Sequence, residues 1–204
     1  MSNPNCKTII VLPTPKTTGT TSVEEAISKR RSIRRYSGES VTIIELSQLL
    51  WAGLGITSPH GFRTTPSAGA LYPLEIYVVA SNVLDLVAGI YKYDAKEHEL
   101  IKVLDGDKTS ELCKASRSQP CVNNAALNIV ICGIYERTTK KYGPTSTKYT
   151  DTEVGCVYEN IHLQAIAINL GTVYIAGFEP SEVRNIINCS EKEEPLCVMP
   201  VGKI

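Results

Sequence analysis

The sequence predicts an α+β chain folded as a single domain. Three observations carry this. Residues 74–80 and 125–134 have strand patterns, residues 152–170 have the pattern of a long helix, and no stretch repeats or falls into low complexity. With 204 residues, 43% of them hydrophobic, the chain has enough apolar material for one sizeable core.

The elements follow in order. Residues 1–21, with Pro4, Pro13 and Pro15 among Thr and Lys, are expected as an extended arm laid over a neighbour, and residues 22–204 as the folded domain. Ser22-Val-Glu-Glu25 has the form of a capping box, in which hydroxyl and carboxylate each satisfy a free backbone N–H, and it opens a short helix to about Arg30. Thr42-Ile-Ile-Glu45 is a second such box. Leu46, Leu49, Leu50 and Leu54 follow at helical spacing, with Gly53 and Gly55 able to end the helix. Residues 56–73 are rich in Gly, Pro, Ser and Thr and read as a loop.

Leu74, Ile76, Val78 and Ala80 alternate on one face of a strand. Ile90–Tyr93 and Leu100–Leu104 flank a turn and form a hairpin, and Asp107 caps a short helix to about Ala115. Ala125–Ile134 is almost wholly apolar, as a strand buried on both faces requires. Residues 135–150 are polar and read as a mobile or active-site loop. Thr152–Leu170 is the longest helix, with one apolar face at Val154, Val157, Ile161, Ala165 and Ile168, and a second at Leu163, Ile166, Ala167 and Leu170. Two apolar faces suit packing on a sheet and on a partner helix. Gly171 is expected to stop this helix. A short helix follows Pro180, and Leu196–Val201 is the last strand.

Composition narrows the function. Lys+Arg and Asp+Glu balance at 21 each, so no net field points to nucleic acid or an acidic membrane. No apolar run reaches the length of a membrane-spanning helix, and the polar start carries no secretory signal, so the chain is expected to be cytoplasmic. The seven cysteines lack C-x-x-C spacing and read as reduced thiols packed in the core. His60, His98 and His162 are too scattered for a metal site.

Three constellations can carry chemistry. Lys29-Arg30-Arg31-Ser32-Ile33-Arg34-Arg35 puts five cations and a hydroxyl at a helix end. Such a group suits phosphate oxygens, and it equally suits a solvated basic face set against the helix dipole. Thr64–Pro73 is a run of small residues leading into a strand, either a plain loop or a surface that lets backbone approach a flat ring system. Gly171–Phe178 follows the long helix, and Gly177 permits a tight turn there. Neither a P-loop nor a dinucleotide fingerprint is present.

In this order and at these distances the three resemble the nitroreductase-like flavoproteins. More narrowly they resemble the branch with the SagB-type azoline (thiazoline/oxazoline) oxidases. The resemblance covers about residues 22–203. It rests on Arg30–Tyr36, Pro66–Pro73, Lys141-Tyr142-Gly143, Val154-Gly155 and Glu159–Ala165. It implies a central mixed sheet flanked by helices and an intertwined homodimer with FMN at the subunit interface. It assigns Arg30, Arg31, Ser32 and Arg34 to the FMN phosphate and ribityl chain. Pro66, Ser67 and Ala68 would come from the partner to lie against the isoalloxazine. Tyr174, Ile175, Ala176 and Gly177 would line its other side, with a backbone N–H near flavin N5, and Lys203 would sit near the phosphate. Lys141 and Tyr142 match a pair given general-base work in the azoline oxidases, while their polar surroundings also suit a surface loop. The implied reaction is ping-pong hydride transfer from NAD(P)H through FMN to a small organic acceptor of nitroaromatic or quinone type. The alternatives are a peptide azoline or related C–N dehydrogenase and a non-catalytic flavin-binding or storage protein.

Overall fold

The computed structural model describes residues 8–204. Cys6 and the first part of the expected arm lie outside the described residues. A seven-stranded sheet forms the centre, built from β1 (Ile9–Val11), β3 (Leu74–Ala80), β5 (Gly89–Asp94), β6 (Glu99–Asp105), β7 (Leu127–Gly133), β8 (Leu170–Thr172) and β9 (Glu194–Lys203). Its order is β1-β6-β5-β3-β7-β9-β8. Every pairing in it is antiparallel, which corrects the expected mixed sheet. Among the described residues the single parallel pairing belongs to a separate two-stranded ribbon of β2 (Val41–Thr42) and β4 (Val83–Leu84). The rest of the expected class, a central sheet flanked by helices, is what the structure has.

Helices cover both faces. On one lie α2 (Ile43–Leu54) and α6 (Thr147–Ala167), whose Leu46, Leu49, Leu50, Val157 and Ile161 meet Ile76, Val78, Ile129 and Ile131. On the other lie α3 (Thr109–Ala115), α4 (Pro120–Asn123) and α7 (Pro180–Ile187), whose Leu112, Val122, Val183 and Ile187 meet Tyr77, Val79 and Val130. β3 is therefore buried on both faces, not one, because Tyr77 and Val79 found a second apolar layer. α1 (Val23–Lys29) packs beside α6.

The capping boxes part company. Thr42 and Glu45 make the full reciprocal box at α2. Ser22 accepts the Glu25 N–H at 3.1 Å, but the Glu25 carboxylate turns to Lys29 one turn on, at 2.6 Å. α2 runs through Gly53, where a Cβ would press on Ile161, and ends at Gly55.

The expected loop at 135–150 is corrected. Tyr135–Tyr142 is a helix, α5, and α6 already begins at Thr147. Only Thr138 of α5 is buried, so the segment has no apolar periodicity to read; Glu136–Lys140 at i,i+4 supports it on the surface. α6 does not stop at Gly171 either. It ends at Ala167, and Asn169 takes the left-handed turn (φ 57°) before Gly171 enters β8. Of the 1–21 segment, residues 9–11 form the edge strand β1 against β6 of the same chain. The described cysteines are all unpaired thiols, with Cys121, Cys132 and Cys197 buried.

Candidate functional site

α6 organises the candidate residues on two flanks. A helix advances by about 100° per residue, so Glu153 and Asn160, seven apart, share one flank. The Glu153 carboxylate is buried and accepts the Ala68 N–H at 2.8 Å. Asn160 Nδ2 donates to the Thr64 carbonyl at 3.2 Å and Thr65 Oγ1 at 3.1 Å. These bonds pin the small-residue loop to the helix. The loop is bent hard: Gly69, Ala70 and Tyr72 have φ of 62°, 55° and 46°. Ala and Tyr pay a steric penalty there. Ser67 Oγ accepts the Tyr72 N–H at 2.8 Å and Arg137 donates to the Tyr72 carbonyl at 2.6 Å, which hold the bend closed.

Lys141 and Tyr142, at the end of α5, reach the same loop. A Cβ at Gly69 would sit 2.8 Å from Lys141 Nζ and would also strike the Tyr142 hydroxyl. Both side chains are exposed at the surface of the chain. The structure thus brings Pro66, Ser67, Ala68, Lys141 and Tyr142 together.

Tyr158, Glu159 and His162 lie on the other flank. Glu159 is 3.8 Å from Arg30 Nε. His162, 2% exposed, bonds the Arg31 carbonyl through Nε2 at 3.0 Å. A carbonyl only accepts, so Nε2 carries the proton and Nδ1 is left bare, without a partner among the described residues. Burial pushes the His162 imidazole below its ordinary pKa, and the nearby Arg30 charge adds to this. Further on, Ile33 N–H donates to the Thr172 carbonyl and Ser37 N–H to the Lys203 carbonyl, each at 2.9 Å. The Tyr36 hydroxyl reaches the Pro200 carbonyl at 3.2 Å, and its ring closes over Gly202. The arginine segment is therefore laced onto β8 and β9.

Beside it, Tyr174 and Ala176 point outward while Ile175 is buried and bonds β9 at Val198. The Tyr158 and Tyr174 rings lie 4.8 Å apart. Gln119 Nε2 donates to the Gly177 carbonyl at 3.4 Å. Ser32 and Arg34 are exposed, and Arg31 donates to the carbonyls of Ser28 and Arg30. The structure thus gathers Arg30, Arg31, Ser32, Arg34 and Tyr174–Gly177 on this flank, apart from the Pro66–Ala68 loop. Lys203, whose carbonyl accepts the Ser37 N–H, turns its side chain to an ion pair with Glu45 of the α2 capping box.

Sequence reasoning assigned no role to Glu153, Tyr158, Asn160 or His162. The available signal was Glu153 and Asn160 at seven-residue spacing on the long helix, and Tyr158 and His162 four apart on it. Among the described residues no group of His, Cys, Asp or Glu could hold a metal ion, and no helix is long and apolar enough to cross a membrane.

Residues 27–203 match the model of the nitroreductase family. A candidate nitroreductase of Methanocaldococcus jannaschii is 41% identical over 181 residues, 89% of this chain and 90% of the relative. The structure of a candidate nitroreductase from Ralstonia eutropha superposes with a TM-score of 0.83 at 25% identity, over 96% of this chain and 89% of the other. One from Anabaena variabilis gives 0.84 at 25% identity, and this chain spans 97% of itself but 42% of that longer chain. Two further relatives carry chemical names. The NADPH-flavin oxidoreductase of Vibrio harveyi is 24% identical over 87% of this chain and 64% of its own length. The microcin B17-processing protein of Escherichia coli is 27% identical over 70% of this chain and 54% of its own length.

Proposed function

The chain belongs to the nitroreductase family, and from that premise we propose that it is an FMN-dependent oxidoreductase whose sites are each shared by two copies. One observation carries this reading: the two halves of the expected flavin site sit on opposite flanks of α6. The arginine segment with Tyr174–Gly177 hangs from Glu159 and His162, and the Pro66–Ala68 loop hangs from Glu153 and Asn160. A helix is about 10–12 Å thick with its side chains. One chain therefore presents the halves in different directions, and a second copy is what lets them face each other. The outward side of α6 suits such a copy, since Gly155 has nothing within 4 Å and Cys156, Leu163, Ile166 and Ala167 are only half-buried.

The residues fit the group. Arg30, Arg34 and Ser32 offer forked and hydroxyl donors to a phosphate, and no buried carboxylate neutralises them. Tyr174 and Ala176 face outward from a backbone fixed to β9, so a flat ring can lie on them without moving the sheet. When bound, the flavin supplies the hydride chemistry. Arg30 and Arg34 bind, His162 holds the Arg31 carbonyl in place, and the Pro66–Tyr72 bend excludes water from one face. Lys203 contributes indirectly, by fixing β9 against Glu45. NAD(P)H as donor and a small organic acceptor complete this reading, in keeping with the name of the Vibrio harveyi relative.

A second reading, a peptide azoline or related C–N dehydrogenase, is favoured by the approach of Lys141 and Tyr142 to Gly69. A lysine there can take a substrate proton once a substrate covers it. The absorbance spectrum of the purified protein, followed by anaerobic addition of NADH and NADPH, tests both. The first reading expects a flavin band that either donor bleaches. A flavin band untouched by both donors moves the assignment to the second, which Lys141→Ala would then abolish. A protein that neither carries nor takes up FMN overturns both.

A further inference from the structure

We propose that the cavity behind the Pro66–Tyr72 bend is an oxyanion subsite, built to take a carboxylate or phosphate group, with Arg63 as its anchor. The cavity holds about 260 Å³ between the end of α2, β5 and α5, and its charged lining is Arg63, Glu75, Lys92, Asp94, Lys96 and Arg137.

Among the charged side chains of that lining Arg63 is the cation that forms no ion pair with the described residues. Arg137 is committed to Glu75 and to the Tyr72 carbonyl. Lys92 is committed to Glu193 and, at 3.5 Å, to the other Glu75 oxygen. Lys96 lies 3.1 Å from Glu97. Asp94 turns back on its own turn, accepting the N–H groups of Lys96 and Glu97 at 2.8 and 3.3 Å. Arg63 remains. Among the described residues it makes no hydrogen bond through its guanidinium, and the Glu75 charge acts on it only from beyond pairing distance. Yet it is half-buried, and burial pushes it below the ordinary arginine range. A guanidinium has five donors and no acceptor, and taking it out of water without partners is costly.

Its position is also fixed. The Arg63 backbone bridges Ile56, the next residue bonds Gly55 at 2.9 Å, and the guanidinium lies 4.5 Å from the Tyr72 ring centroid. Stacking on a ring holds the planar fork in one orientation, which is how arginine recognises carboxylate and phosphate in a bidentate way. Arg137 and Lys92 stand beside it and can share their charge with an incoming anion. Two carboxylates, Glu75 and Asp94, also line the space, so the site selects a small, low-charge anion over a polyanion.

Calorimetric titration tests this, using the full chain saturated with FMN so that the Arg30–Arg34 cluster is filled. The Arg30→Ala/Arg34→Ala variant replaces the FMN-loaded chain if no flavin binds. Inorganic phosphate and acetate are the two probes, and whichever saturates identifies the group. Arg63→Met should weaken that binding at least tenfold, Arg63→Lys should weaken it less, and FMN uptake should match the parent in both. Should Arg63→Met fail to fold, Arg63→Gln serves. Four results would overturn the proposal: no saturable binding of either probe, unchanged binding in Arg63→Met, loss of FMN uptake in that variant, or a change in its oligomeric mass. The last would mean that Arg63 pairs with a neighbouring copy.

Discussion

Burial holds the Glu153 carboxyl above the ordinary carboxylate range even though it accepts the Ala68 N–H. The folded protein therefore keeps that proton more tightly than the unfolded chain. Its contribution to stability is full below the unfolded pKa and falls away as pH rises through the higher folded value. Glu153→Gln keeps an acceptor for Ala68 and removes the charge. Urea denaturation should find it at least as stable as the parent at pH 7, with the advantage disappearing near pH 4. Glu153→Ala leaves the Ala68 N–H unpaired and should lose about 1–3 kcal/mol. His98 and His162 act in the opposite direction. Burial lowers both, so the stability they confer is full above an ordinary histidine pKa of about 6.5 and is lost as pH falls from there through the lower folded values. At this scale the sequence was only partly legible. The arginines stand out as a cluster, whereas the partner of Lys203 does not. Glu45 already has a visible task in its capping box, and nothing local says that its other oxygen reaches 158 residues along the chain.

Among elements, the segment from Ile33 to Ser37 depends on contacts made without side-chain recognition of any ligand. At Gly202 a Cβ would come within 2.6 Å of the Tyr36 ring, and at Gly171 it would meet Ile33 and Ile204. Gly202→Ala should cost about 1–3 kcal/mol through overpacking. It should also raise the dissociation constant for FMN several-fold, because it lifts the arginine segment off β9. Equilibrium FMN titration together with thermal melts checks this, and a variant that loses stability with unchanged FMN affinity refutes the link. α2 was legible from apolar spacing and its capping box, α3 from Asp107 just before it, α7 from Pro180 at its first turn, and the hairpin from two strand patterns flanking a turn. α5 was not, because a helix that buries one threonine carries no apolar stripe. The end of α6 was misplaced because Asn169, not the conspicuous Gly171, takes the left-handed turn.

For the molecule as a whole, the two flanks of α6 make a prediction that no single-chain site shares. Arg30→Ala/Arg34→Ala damages one half of each site, and Gly69→Val, whose side chain would strike Lys141 and Tyr142, damages the other. Each variant alone should bind FMN poorly. A mixed dimer contains one site with both damaged halves and one with neither. Co-refolded mixtures should therefore recover FMN binding, up to one site per mixed dimer. No recovery would place each site within one chain. The class of the fold was legible in the sequence, but the strand order was not. Pairings such as Ile129 with Met199 join residues far apart, and no local pattern records them.

The position of β9 governs when the protein can be completed. Ribosomes deliver residues 194–203 after every other strand of the sheet, yet β9 lies inside the sheet, between β7 and β8. Until it arrives, β7 offers a bare edge that is apolar but for Asn128, the kind of surface that attracts other unfinished chains. The arginine segment is synthesised earlier and can meet α6 through His162, but its Tyr36 and Ser37 end cannot be fastened before then, since those residues bond β9 itself. On the proposed reading, flavin capture would then be among the last events in the life of a nascent chain, and chaperones that guard open edges should hold this protein until translation has passed Lys203.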